Sequence, residues 1–118
     1  MNNSKRFQAV GRLKQGEMNK AEEAYSWVLE RRKNAGEVAW YKFEAITLKL
    51  ADNTRYTVDF FVMLINGELE AHEVKVKAIF QDDAKVKIKV AAAMFPFRFI
   101  LAFAQTKKDG GGFVLEEV

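Results

Sequence analysis

The sequence predicts an α/β fold of element order αβββαβ(β), a mixed sheet flanked by two helices, and three observations carry that prediction. Apolar residues recur at helical spacing over residues 19–34 and again over 81–95. Between and after them lie runs rich in β-branched and aromatic residues: VAWYKFEAITLKL, YTVDFFVMLI, ELEAHEVKV and FRFILAFA. Asn66-Gly67 separates the second and third of these runs, a strong short-range hairpin signal.

The 118 residues, 49% of them hydrophobic, suit one domain that buries roughly two thirds of its unfolded surface. With no cysteine, disulfides and thiolate metal sites are excluded, and a single histidine argues against zinc. The N-terminus lacks the apolar core of a signal peptide, and nowhere do about twenty apolar residues run together. A soluble, cytoplasmic protein without a membrane partner is expected. Nineteen basic against sixteen acidic residues give a net charge of +3, which permits a nucleic-acid partner without requiring one.

Residues 1–18 carry Lys5, Arg6, Arg12 and Lys14 with few large apolar side chains. They read as a flexible basic arm, or simply a solubilising tail, ahead of a single domain over 19–118. Ala21, Ala24, Tyr25, Val28 and Leu29 then form one helical stripe, with Asn19 placed to cap its start and Ala35-Gly36 to end it. At about 100° per residue, Glu22 falls beside Leu29 at the border of that stripe, whereas Glu23 points to solvent. Both acids also suit the first turn through the helix dipole.

VAWYKFEAITLKL follows as a strand that begins between Trp40 and Phe43, and Ala51 to Thr54 form a turn. Tyr56 to Ile65 is apolar apart from Asp59, the pattern of a central strand buried on both faces. A strand over Glu68 to Val76 comes next. The KVKIKV alternation in 81–95 would allow a strand, but the Asp82-Asp83 start and the run of three alanines favour a helix. Its stripe is Ala84, Ile88, Ala91, Ala92 and Phe95, and Pro96 stops it. Phe97 to Ala104 is a buried strand, and Lys107 to Gly112 turns into a last one, Phe113 to Val118. Short turns make the first three strands an antiparallel meander, and a right-handed helical crossover sets Phe97 to Ala104 parallel to the third.

Asp59, Glu73 and Lys75 form a site only if they share one face of the sheet. A two-residue Asn66-Gly67 loop would pair Asp59 with Val74 and put Glu73 on the other face. A three-residue loop, Ile65-Asn66-Gly67 closed by a left-handed Gly67, pairs Leu64 with Glu68 and Asp59 with Glu73. That register puts Phe61, Met63, Leu69 and Ala71 beneath the charges, so the bulged loop, or a compensating bulge further along the hairpin, is predicted. Two neighbouring carboxylates repel, and burial adds to the cost, so a cation between them would relieve both. All-oxygen ligation suits Mg²⁺ or Mn²⁺, and a lysine beside it suits phosphodiester hydrolysis. The plainer reading is a salt-bridged Glu-x-Lys on an ordinary amphipathic strand.

The segments GRLKQGEMNKAEEAY, AGEVAWYKFEAITLKLADN, YTVDF, HEVK, QDDAKVKIKVAA and FPFRF run from about Gly11 to the C-terminus. Together they resemble the PD-(D/E)XK nuclease superfamily, and within it the small phage-encoded Holliday-junction-resolvase-like endonucleases. The resemblance implies a restriction-endonuclease-like core and a Mg²⁺-dependent DNA endonuclease, with Mn²⁺ as substitute, structure-selective on branched DNA such as four-way junctions. It implies Asp59, Glu73 and the Val74 backbone carbonyl as metal ligands, Lys75 as the catalytic lysine, and Glu22 as the helix acid that completes the site directly or through water. Lys85 and Lys89 on one flank of the second helix, Lys87 on the other, and Arg12 and Lys14 in the arm would contact DNA phosphates. A two-fold homodimer in the host-cell cytoplasm is also implied. Val58 and Val76 stand where the family usually has proline and glycine. Two other readings stay open: a non-catalytic DNA-binding module on the same fold, and a nuclease that nicks ordinary duplex or single-stranded DNA. His72 alternates away from Glu73 as a packed or exposed strand residue, and Trp27, Trp40 and the ten phenylalanines read as core or subunit contact.

Overall fold

A computed structural model describes residues 16–76 and 82–118, with the backbone alone for 82–84. Helix α1 (Lys20–Asn34) starts where Asn19 closes a capping box. The Asn19 side chain accepts from the Glu22 N–H at 2.8 Å, and the Glu22 carboxylate accepts from the Asn19 N–H at 2.9 Å. Tyr25 and Leu29 are fully buried and Ala21 and Val28 partly so, while Ala24 is exposed, so the buried stripe is narrower than its spacing predicts. Met18 packs against the same cluster, and the Gly16 N–H donates to Glu44 at 2.9 Å. The basic arm therefore gives way to the fold by Gly16, and its other residues, 1–15, lie outside the described part.

Seven strands and a second helix follow: β1 (Val38–Phe43), β2 (Thr47–Ala51), β3 (Thr54–Thr57), β4 (Phe60–Leu64), β5 (Leu69–Val76), α2 (Asp82–Met94), β6 (Arg98–Ala104) and β7 (Phe113–Glu117). The main sheet has the order β1-β4-β5-β6-β7, antiparallel throughout except for the parallel β5–β6 pair, while β2 and β3 form a separate hairpin. The protein is thus an α/β fold with two helices on a mixed five-stranded sheet, plus a hairpin, and α2 makes the connection between the parallel strands.

The two long strands expected over 38–50 and 56–65 are each broken, at the same level. Phe43 opposes Phe60, and the Glu44 N–H continues that ladder to the Asp59 carbonyl at 2.8 Å. Thr47 opposes Thr57, and the Val58 N–H continues the other ladder to the Ile46 carbonyl at 3.2 Å. Ala45 is left over between the two, one extra residue on one side, which is a bulge. Glu44 absorbs it with φ +50°, a left-handed conformation uncommon outside glycine. The paired strands turn there and leave the main sheet together. The first of them begins at Val38, ahead of the expected start.

Each face of the sheet carries a helix. Tyr25 and Leu29 of α1 pack on Val38, Phe60, Val62, Val74 and Ala102. Ile88 and Ala91 of α2 pack on Ala71, Phe99, Leu101 and Phe103, and on Leu48, Tyr56 and Val58 of the hairpin. Trp27 and Trp40 are 61% and 41% exposed and so do not belong to the core. Among the described residues no helix is long and apolar enough to cross a membrane.

Candidate acidic site at the strand break

The β4–β5 register is the one that the bulged loop requires. Phe60 opposes His72 and Met63 opposes Leu69, which carries Leu64 to Glu68 at the loop and Asp59 to Glu73 at the break. The Leu64 N–H donates to the Glu68 carbonyl at 2.8 Å, the Gly67 N–H donates to the Leu64 carbonyl at 2.9 Å, and Gly67 has φ +92°. A side chain there would be strained by the backbone alone. Asp59, Glu73 and Lys75 consequently share the face covered by α2.

At the break, hydrogen-bond donors hold the acids. The Val74 N–H donates to Asp59 Oδ2 at 2.9 Å. Tyr56 donates its hydroxyl to Glu73 Oε1 at 2.6 Å, and Lys75 Nζ lies 3.4 Å from Glu73 Oε2. Glu22 arrives from the first turn of α1, close enough for its charge to act on Asp59. Burial, then the neighbouring Glu73 charge, push Asp59 up to about 8, and burial raises Glu22 and Glu73 as well. Burial, and then Glu73, also raise the Tyr56 phenol, keeping it a donor. Glu73 is only 9% exposed, so the exposed salt-bridge ladder of the plainer sequence reading does not describe it.

The donor set suits a hard divalent cation, because Mg²⁺ takes one or two carboxylates and completes its shell with water, and a cation would offset the mutual repulsion of the buried Asp59 and Glu73 carboxylates. Among the described residues, however, no group of three or more histidine, aspartate or glutamate side chains is arranged to hold an ion. Glu22 Oε1 is committed to its helix cap, Asp59 Oδ2 to the Val74 N–H and Glu73 Oε1 to Tyr56. A site of two carboxylates, Asp59 and Glu73, is what this arrangement offers.

The expected DNA-contacting lysines are divided. Lys87 Nζ approaches the Arg55 carbonyl of the hairpin at 3.4 Å, whereas Lys85 and Lys89 line a cleft with Ile88, Leu101, Glu116 and Glu117. Those two acids oppose a phosphate backbone. Arg12 and Lys14 lie outside the described residues. Val58 is fully buried and uses its N–H in the hairpin ladder, a bond that a proline could not make, and Val76 is 42% exposed at the end of β5. His72 is buried on the α1 face. Tyr25 O–H bonds His72 Nδ1 at 2.6 Å, His72 Nε2–H donates to Glu70 at 2.8 Å, and Arg98 donates to the other Glu70 oxygen at 2.8 Å and to Glu117. That network uses His72 as a structural link, away from the acids.

Sequence reasoning missed Tyr56 and Glu44. Tyr56 alternates with Val58 as an ordinary core position would, and Glu44 stands in a run that reads as continuous strand. Glu44 also raises Glu22 through its charge. No known protein family, curated protein or solved structure matches the chain.

Proposed function

We propose that the protein is a Mg²⁺-dependent DNA endonuclease that hydrolyses phosphodiester bonds, selective for branched DNA and acting as a homodimer in the cytoplasm of its host cell. The observation that carries this reading is the register that puts Asp59, Glu73 and Lys75 on one face at the bulge, with Glu22 meeting Asp59 from the helix. Asp59, Glu73 and the Val74 carbonyl would hold Mg²⁺, with Glu22 beside them, and the ion would supply polarisation of a phosphate oxygen and a water of lowered pKa. Glu73 keeps the Lys75 ammonium at the site, one-fifth exposed and able to face the charge that develops on the phosphoryl oxygens. Lys87, on the hairpin side of α2, is the lysine best placed to meet a phosphate of the bound strand.

The test incubates wild type and Lys75→Ala with labelled four-way junction, duplex and single strand, in Mg²⁺ or EDTA. Mg²⁺-dependent cutting of the junction, reduced about 100-fold or more in the variant, is expected. Binding without cutting at any Mg²⁺ concentration would mean a DNA-binding module instead, and equal cutting of all three substrates would remove the structural selectivity.

A further inference from the structure

We infer that Tyr56 is a positioning residue of the acidic site, its hydroxyl clamping one oxygen of Glu73 so that the other is presented to the cation and to Lys75; the inference rests on the metal-dependent reading above. The bond is short, 2.6 Å, and both partners are buried, Tyr56 at 8% and Glu73 at 9% exposure. Its origin is what gives it a role. Tyr56 belongs to β3, in the hairpin that leaves the sheet at the bulge, while Glu73 belongs to β5, and Asp59 lies three residues further along the chain, between β3 and β4. The hydroxyl therefore crosses the strand break and ties the hairpin to Glu73, the residue next along β5 from His72, which opposes Phe60. The ring sits in the α2-side core opposite Leu48, so its hydroxyl has little freedom to move.

The two Glu73 oxygens are held unequally. Oε1 accepts from the phenol at 2.6 Å, while Oε2 meets the Lys75 ammonium at 3.4 Å, the longer contact. A carboxylate pinned at one oxygen by a neutral donor offers its second oxygen in a fixed direction. Hydrogen bonds of this kind to ligating carboxylates typically contribute ~10- to 100-fold to metal affinity.

The test compares wild type, Tyr56→Phe and Tyr25→Phe. Tyr25 is the control, because its hydroxyl makes an equally short buried bond, to His72 on the opposite face. Mn²⁺ binding to metal-free protein, followed by electron paramagnetic resonance, is the primary readout; thermal midpoints in EDTA and the Mg²⁺ concentration for half-maximal cleavage accompany it. Tyr56→Phe should weaken Mn²⁺ binding ~10-fold or more and shift the Mg²⁺ requirement upward, with cleavage recovering at saturating Mg²⁺. Tyr25→Phe should lower the thermal midpoint and leave Mn²⁺ binding unchanged. Placing 4-aminophenylalanine at position 56 restores an N–H donor and should restore tight binding. Wild-type Mn²⁺ affinity in Tyr56→Phe, or equal weakening in both variants, would overturn the inference alone. No Mn²⁺ binding by wild type would overturn it together with the nuclease reading.

Discussion

Val58 is held by its backbone as well as by its side chain. Its N–H donates to the Ile46 carbonyl at 3.2 Å and its side chain is fully buried between hairpin and α2, immediately before the residue that enters the site. A proline would remove the donor, and the ladder that carries Tyr56 would lose its last bond before the bulge. Val58→Pro is therefore expected to lower unfolding free energy by about 1 kcal/mol or more, read in urea melts against Val58→Ala, which loses packing but keeps the N–H. A Val58→Pro protein as stable as wild type would mean that the bond does not matter. Residues of this kind are hard to find in a sequence. Asp59, Glu73 and Lys75 stand out because charges in apolar strands need partners, whereas Tyr56 and Val58 look like any core tyrosine and valine until the bond each makes is seen.

The same contrast holds for elements. Helix α1 and its cap follow from local chemistry, since Asn19 and Glu22 stand three apart and satisfy each other's backbone donors. Asn19→Ala should cost about 1 kcal/mol, measured by chemical denaturation, and should loosen the turn that delivers Glu22 to Asp59. The β4–β5 register was legible too, because Gly67 permits the three-residue loop and a one-residue slip would send Glu73 to the wrong face. The bulge was not. Alternation of apolar residues continues through VAWYKFEAITLKL, and the left-handed residue at the break is Glu44, where no glycine or asparagine marks it. The main-sheet ladder and the hairpin ladder each end within a residue of it, so a property of two strands together, invisible in either alone, decides where the chain turns.

Across the whole molecule, the two faces of the sheet respond to pH in opposite senses. On the α1 face, burial holds His72 below its ordinary 6.5, and the His72 bond holds Glu70 low. As pH falls through this range the unfolded chain takes up protons that the folded one resists, and stability is lost toward acid. On the α2 face, Asp59 titrates at about 8 against an ordinary 3.8. Between those values the folded state keeps a proton that the unfolded state has released, so stability falls as pH rises, and the raised Glu22 and Glu73 act in the same direction. Without divalent ions, the thermal midpoint should pass through a maximum and decline on both sides. Asp59→Asn separates the limbs: its amide can accept from the Val74 N–H as the acid does, but it cannot ionise. Midpoints measured in EDTA from pH 5 to pH 9 should then show a flattened alkaline limb and an unchanged acid limb. An alkaline decline as steep in Asp59→Asn as in wild type would place the proton elsewhere, and with it the charge that a cation at the bulge would replace.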